Sequence, residues 1–238
     1  MNPEANKNPK LYAPDVLYED NHLIVVNKKP TEIVQGDKSN DIPLLENVRE
    51  YIRVKYNKPG NVFTGLVHRL DRPASGALIF AKTGKGLSRM NELLKKREIK
   101  KIYWAVVGNP PPESGKLSHF MKKNNKQNKS YTFEREVAGS RKAELSYRLL
   151  AASDNYYLLE IDLHTGRHHQ IRAQLAAIGC PVKGDLKYGA ARSNPDGSIH
   201  LHARQVFFTH PVKKELLEIT APVPEEKLWQ FFEKNLKR

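Results

Sequence analysis

The sequence predicts an α+β protein. Short segments with strand-like alternation of apolar residues are interspersed with amphipathic helical segments along the whole chain. With 238 residues, 39% of them hydrophobic, the chain is long enough to bury a substantial core. Neither a repeat nor a composition shift marks an internal boundary. We therefore expect one domain over residues 16–238, preceded by a polar tail at residues 1–15.

The N-terminal elements are expected to be a hairpin and a helix. Residues 16–18 and 23–26 alternate like strands around a turn at residues 19–22. Residues 43–55 have apolar positions at helical spacing, and Asp41 precedes them as a candidate N-cap.

The middle of the chain predicts a loop, a buried strand, a helix and a second buried strand. Residues 77–81 are continuously apolar and follow a loop at residues 67–76. Residues 84–97 have a polar side and an apolar side, as in an amphipathic helix. Residues 99–107 are apolar on both alternating faces, so both faces of this strand should be buried.

The C-terminal half predicts further strands and two helices. The lysine-rich segment 122–130 is expected to be a mobile basic loop, and Thr165 is a candidate N-cap for the helix that follows it. The predicted strands are residues 141–149, 156–163, 201–208 and 216–220, and the predicted helices are residues 167–178 and 225–236.

The charge of the chain indicates a polyanionic partner. Lys and Arg outnumber Asp and Glu by 40 to 26, for a formal net charge of +14. Nucleic acid is the favoured partner and an anionic membrane surface the less favoured one. The single cysteine, Cys180, excludes an internal disulfide framework and a Cys-rich zinc site. No signal peptide or membrane-length apolar run is present, so we expect a cytoplasmic protein.

The loop before the first buried strand contains the first candidate catalytic residue. Asp71 lies among His68, Arg69 and Arg72, in a segment that should hold it over the start of the strand. Catalytic groups are commonly presented from such loops. Taken alone, the segment equally fits an exposed loop with a surface Asp–Arg pair.

Several separate motifs together resemble one known family, the RluA-type pseudouridine synthases. The main motifs are His68-Arg69-Leu70-Asp71 with Ser75-Gly76, Lys101-Ile102-Tyr103-Trp104-Ala105, Thr165-Gly166-Arg167-His168-His169-Gln170-Ile171-Arg172, and residues 179–185. Residues 17–20, 25–28 and 201–204 also fit the family pattern. Their order and spacing cover about residues 16–222.

The resemblance implies an isomerase that converts uridine in RNA to pseudouridine. It also implies a mixed, mainly antiparallel sheet flanked by helices, and no required cofactor or metal. Asp71 is then the essential carboxylate, as nucleophile or in proton abstraction at the sugar. Arg172 would pair with Asp71 and keep it charged in a dry pocket. Tyr103 would offer a flat face for the base and a hydroxyl for proton transfer.

Other matched positions imply contact with RNA. Arg69 would help to flip the target base out of the folded RNA. His68, Arg167, His169 and Gln170 are assigned to the same RNA-binding group by the resemblance. Ile171 and Leu175 are expected to pack beneath the pocket.

The chain departs from the family pattern in three respects. His168 stands where relatives often have Thr, and Gln174 where they often have His. Many relatives also have a small N-terminal RNA-binding domain, for which residues 1–15 leave no room. We therefore expect the catalytic domain itself to capture the RNA.

Rival interpretations are weaker, with one exception. The His-Arg-Leu-Asp run lacks the other motifs of a protein kinase. A metal site on His164, His168 and His169 has no accompanying carboxylates or cysteines. A catalytically idle RNA-binding or ribosome-assembly protein on the same fold stays open. Ribosomal and transfer RNA are both candidate substrates, DNA is not, and the absence of an oligomerisation element favours a monomer.

Overall fold

The computed structural model of the protein describes residues 11–36 and 41–236. Within these residues eleven strands form one sheet, in the order β1-β2-β4-β10-β5-β9-β8-β6-β7, with β3 paired to β4 and β11 to β10. The strands are β1 (Val16–Glu19), β2 (Leu23–Lys28), β3 (Gly65–Leu66), β4 (Ser75–Ala81), β5 (Lys100–Val107), β6 (Ser114–Asn124), β7 (Lys129–Phe133), β8 (Arg141–Ala152), β9 (Tyr157–Leu163), β10 (Leu201–Thr209) and β11 (Leu216–Thr220).

The sheet is mixed and mainly antiparallel, as the resemblance implied. Its one parallel pair joins β4 to β10, with Gly76 opposite Ala203. Gly76 has φ +114°, and a Cβ at this position would collide with the main chain of Ala203. Only glycine fits such a close approach at this backbone angle. Gly76 therefore fixes the start of β4, directly after the loop that contains Asp71.

In the part of the chain that the structure describes, four α-helices cover both faces of the sheet. They are α1 (Leu44–Lys55), α2 (Gly84–Lys96), α3 (Gln170–Ala177) and α4 (Lys227–Leu236). Helices α1 and α3 pack in one apolar cluster with Tyr103, whereas α4 packs in another with Trp104. Tyr103 and Trp104 are neighbours on β5 and point to opposite faces, so the predicted two-sided burial of this strand is confirmed.

Most predicted elements are confirmed, but the basic segment 122–130 is not a loop. It contains the end of β6, a short turn and the start of β7, which pair from Phe120–Phe133 to Asn124–Lys129. The strands were missed because many of their residues are polar and few are buried, so an edge hairpin of this kind lacks a clean apolar alternation.

Both predicted helix caps are wrong. Helix α1 begins after Pro43 without a side-chain cap, and Asp41 instead accepts a hydrogen bond from Arg72 at 2.5 Å. Helix α3 begins at Gln170, three residues later than predicted. The reason is that the Gln170 side chain accepts hydrogen bonds from the Thr165 hydroxyl and the Arg167 N–H, which closes a loop before the helix.

The predicted tail at residues 1–15 lies mostly outside the described residues, and residues 11–15 are irregular. In the described part of the chain, no helix is both long and apolar enough to cross a membrane.

Candidate active site

A cleft of about 1430 Å³ opens where the Asp71 loop, β5 and the start of α3 meet. Its lining combines one carboxylate at the centre, Asp71, with apolar side chains such as Tyr103 and Ile171 and a largely basic rim. The basic residues of the lining are Arg69, Lys95, Arg97, Lys100, Lys101, Lys123, Arg167 and Arg172. The lining also includes Asp162, which pairs with Lys100 at 3.2 Å. A cleft with this charge distribution attracts a polyanion and places it against Asp71.

The loop that presents Asp71 is held from below by a buried lysine. Lys28 on β2 is fully buried, and its ammonium donates to the carbonyls of Lys29, Arg72 and Ala74 at 3.0, 2.9 and 2.6 Å. Burial lowers the pKa of Lys28 to about 7, although the charges of Glu32 and Asp71 oppose that shift. The carbonyls of Arg72 and Ala74 fix the backbone on the C-terminal side of Asp71, and the third acceptor belongs to the residue next to Lys28.

Asp71 and Arg172 form an ion pair at the centre of the cleft. Arg172 Nη1 donates to Asp71 Oδ2 at 3.0 Å. The other side of the guanidinium forms a bidentate pair with Asp185, through Nε–Oδ2 at 2.6 Å and Nη2–Oδ1 at 2.8 Å. The arginine side chain is 5% exposed and that of Asp71 is 25% exposed. Asp185 thus orients the arginine, and the arginine positions a carboxylate that solvent or substrate can reach.

The electrostatics keep Arg172 charged. Burial opposes its charge, but the hydrogen bonds that Arg172 donates to Asp185 and the negative charge of Asp71 outweigh burial and raise the pKa of Arg172. One fixed cation therefore lies between two carboxylates, which is a stable arrangement only when each hydrogen bond is made.

Tyr103 lies on β5 within the same cleft. It is buried, and its neighbours across the sheet are Ala203 on β10 and Ile161 on β9. Burial, and then the charge of Asp71, raise the pKa of Tyr103 above its usual value. The phenol is therefore neutral at physiological pH, so it can donate or relay a proton.

His169 approaches Asp71 from the other side. Its Nε2 lies 3.7 Å from Asp71 Oδ2, and its Nδ1 lies 3.0 Å from the Tyr188 hydroxyl. Burial lowers the pKa of His169 to about 3 despite the attraction of Asp71, so the ring is neutral. The carboxylate favours the tautomer with N–H at Nε2. The single proton of the Tyr188 hydroxyl is within reach of both His169 Nδ1 and the Ser130 carbonyl, which lies 3.2 Å away.

Backbone geometry places His169 in this position. The residue has φ +54°, in the left-handed region, and is the residue immediately before α3. Its ring stacks on that of His168 at a centroid distance of 3.7 Å. Histidine tolerates this conformation better than a β-branched residue would, because it lacks a second heavy atom at Cβ.

The remaining residues of the predicted RNA-binding group differ in exposure. Arg69 is exposed at the cleft, and Arg167 lines it while donating to the Lys142 carbonyl at 2.9 Å. His68 accepts a hydrogen bond from the Ile79 N–H at 3.3 Å, and burial lowers its pKa to about 3. Gln170 is buried, and its amide bonds to Thr165, Arg167 and the Glu144 carbonyl.

The geometry thus gives His68 and Gln170 structural contacts, and their contact with RNA stays a prediction. Of the two predicted packing residues, Ile171 lines the cleft, whereas Leu175 is fully buried in the core behind it.

Three important residues at the site had no assigned role at the sequence level: Lys28, Asp185 and Tyr188. Each lies within or beside a quoted motif, but the role of each depends on a partner elsewhere in the chain. The spacing from Arg172 to Asp185, in a segment rich in glycine, was the available signal for the bidentate pair. Within the described residues, no group of three His, Cys, Asp or Glu side chains is arranged to hold a metal ion.

Comparison with known proteins shows which family the chain belongs to. The family described as RNA pseudouridylate synthase matches residues 22–177. An uncharacterized RNA pseudouridine synthase of Synechocystis is 32% identical over 88% of this chain, and the match covers 65% of that relative's length. A ribosomal large subunit pseudouridine synthase D of Xylella fastidiosa is 30% identical over 89% of this chain and 66% of its own length.

A solved structure agrees with the fold. The human RNA pseudouridylate synthase domain containing 4 superimposes with a TM-score of 0.75 at 22% identity, covering 94% of this chain and 93% of the human one. At this level of identity the likeness concerns the fold alone. The chain as a whole spans about 65% of the length of the Synechocystis relative.

Proposed function

Because the chain belongs to the RNA pseudouridylate synthase family, we propose that it isomerises uridine to pseudouridine in RNA, with Asp71 as the essential carboxylate. The observation that carries the proposal is the Asp71–Arg172 pair beside Tyr103, in the centre of a basic cleft. A structural ion pair would not need a cleft of this size around a quarter-exposed carboxylate.

The reaction is balanced without an added reactant. The bond from the sugar to a base nitrogen breaks, a bond from the same sugar carbon to a base carbon forms, that base carbon loses a proton, and the nitrogen gains one. Asp71 acts at the sugar, either as nucleophile or in proton abstraction. Tyr103, with its neutral phenol, supports the base and takes part in proton transfer.

The neighbours of Asp71 prepare it for this role. Arg172 holds one carboxylate oxygen, and the N–H of neutral His169 faces the same oxygen from a longer distance. The other oxygen has no such partner among residues 11–36 and 41–236, so it is available to approach the sugar. Fixing a reacting group in this way lowers the entropic cost of reaching the transition state.

Capture of the RNA rests on the basic rim of the cleft. A uridine within folded RNA must be flipped out to reach Asp71, and exposed Arg69, two residues before Asp71, is suited to fill the space that the base leaves. Two relatives are named ribosomal large subunit pseudouridine synthases C and D, so we propose ribosomal RNA as the first candidate substrate and transfer RNA as the second. The proposed enzyme works as a monomer in the cytoplasm.

The test is pseudouridine-specific chemical mapping of ribosomal and transfer RNA from cells with and without the protein. The matched control is the deletion strain that produces Asp71→Asn, a substitution close in size that removes the charge. We expect at least one site to disappear on deletion and to return only with the unaltered protein. If no site is lost in either RNA, the proposal is overturned in favour of an idle RNA-binding protein.

A further inference from the structure

The outer face of the β6–β7 hairpin presents two aromatic side chains to solvent. Tyr131 and Phe133 alternate along β7 and are 40% and 36% exposed, whereas Ser130 on the opposite face is buried. Exposed aromatic side chains on an edge strand carry a risk of aggregation. Because soluble proteins rarely expose such patches without a use for them, this face indicates a binding role.

A second cavity, of about 390 Å³, lies on this face. It is lined by Tyr131, Phe133, the lysines at 122, 123 and 126, and the two asparagines between them. Its volume is near the lower end of the range for small-ligand pockets, which suits a single nucleotide.

Positive charge predominates around the cavity, although exposed Glu134 directly follows Phe133. Residues 114–133 contain five lysines and no aspartate or glutamate. The lysines at 122, 123, 126 and 129 form no ion pair with any residue that the structure describes. Aromatic faces among unpaired lysines match the chemistry of unpaired RNA, whose bases stack and whose phosphates need counter-charge.

The second cavity adjoins the catalytic cleft across the hairpin, because the Lys123 side chain lines both. The hairpin is also tied to the cleft from behind: the Ser130 N–H donates to the Tyr188 hydroxyl at 2.8 Å, and the Ser130 hydroxyl bonds to His168 Nδ1 at 2.8 Å. A strand that leaves the cleft past Lys123 and bends around the edge strand β7 can reach Tyr131 and Phe133 on the other face of the hairpin.

We propose that Tyr131 and Phe133, with Lys122 and Lys126, form a second RNA subsite that stacks an unpaired base near the target uridine on the same RNA. The inference rests on the proposed function, since it takes RNA as the substrate. It adds a surface that selects RNAs with an unpaired nucleotide near the target and that takes no part in the chemistry.

The test uses an octauridylate RNA with 5-iodouridine at single positions, bound to the full chain with Asp71→Asn so that no turnover occurs. Ultraviolet cross-linking and peptide mass spectrometry locate the contacts, and fluorescence anisotropy measures affinity. We expect cross-links on Tyr131 or Phe133. We also expect about tenfold or greater weakening of binding in Tyr131→Leu/Phe133→Leu, which keeps apolar bulk but removes the flat rings.

Two control variants separate stacking from other effects. Tyr131→Phe/Phe133→Tyr keeps both rings and should bind the RNA as the parent does. Phe231→Ala removes an exposed ring on α4, away from the cleft, and should also leave binding unchanged.

Unchanged affinity of the double leucine variant, or cross-links confined to the cleft, overturns the proposal and leaves a protein partner as the occupant of this face. Because binding is read without turnover, this failure is distinct from failure of the proposed function, which would show as the absence of pseudouridine sites.

Discussion

The catalytic cleft and the outer face of the hairpin both contain basic and aromatic side chains, but the two regions differ in how firmly these side chains are held. In the cleft, the guanidinium of Arg172 is bound by two carboxylates and the ammonium of Lys28 by three carbonyls. On the hairpin, the lysines and the rings of Tyr131 and Phe133 face solvent. The difference teaches that bond rearrangement needs groups fixed before substrate arrives, whereas recognition of a flexible strand needs groups that adapt to it.

The largest expected effect comes from removing the cation of the cleft. Arg172→Leu leaves Asp185 buried and unpaired beside Asp71, so the free energy of unfolding should fall by about 3–5 kcal/mol in urea titrations. Arg172→Lys keeps a charge but loses the bidentate fork, and we expect kcat to fall about 100-fold with RNA affinity little changed. An unaltered kcat in Arg172→Lys would show that the fork does not position Asp71.

The next effect tests the support beneath the Asp71 loop. Lys28→Met removes three hydrogen bonds, two of them to carbonyls of the Asp71 loop, and the free energy of unfolding should fall by about 1–3 kcal/mol. Because the loop then moves, kcat should fall as well. The control is Lys29→Met, at the exposed neighbouring residue, which should change neither quantity. Equal behaviour of the two variants in denaturant titration and single-turnover kinetics would contradict the assigned role.

The sequence predicted the elements that contain the catalytic candidates better than the long-range hydrogen bonds that hold these elements in place. The Asp71 loop, strand β5 and the Arg172 helix are each visible as local patterns, because burial and turns leave signals within a few residues. The pairings of Lys28 with the Arg72 carbonyl and of Ser130 with Tyr188 join residues 44 and 58 positions apart. No local pattern encodes such a partner, and the polar hairpin was missed for the related reason that its strands are defined by pairing at the sheet edge.

A moderate effect should appear as a pH dependence of stability. Burial lowers the pKa of His68 to about 3 and of His202 to about 4, against about 6.5 in the unfolded chain. The unfolded state therefore binds more protons than the native state below pH 6.5. Stability is fully present above that pH and is lost as pH falls toward 4, by about 1.4 kcal/mol per pH unit for each such histidine.

Denaturant titrations between pH 7 and 5 measure this slope. His202→Gln should reduce it by the share of one histidine, and His164→Gln, at an exposed position, should leave it unchanged. A slope that is the same in all three proteins would place the loss of stability elsewhere.

The smallest expected effect concerns the outer face of the hairpin. Lys126→Gln removes one exposed charge at the hairpin cavity, so the dependence of log Kd on log salt for octauridylate should become shallower by about 0.7. Folding stability should not change. Lys227→Gln on α4 is the control, and an equal change of slope there would mean that net charge alone governs binding.

The bond between Ser130 and Tyr188 has a consequence for how such a protein can diverge. The tyrosine hydroxyl accepts from a main-chain N–H, which every residue except proline supplies at position 130. The hairpin can therefore accumulate substitutions on its outer face while staying in register with the catalytic groups. Target choice can drift or be re-engineered at residues 131 and 133 while the reaction itself is inherited unchanged.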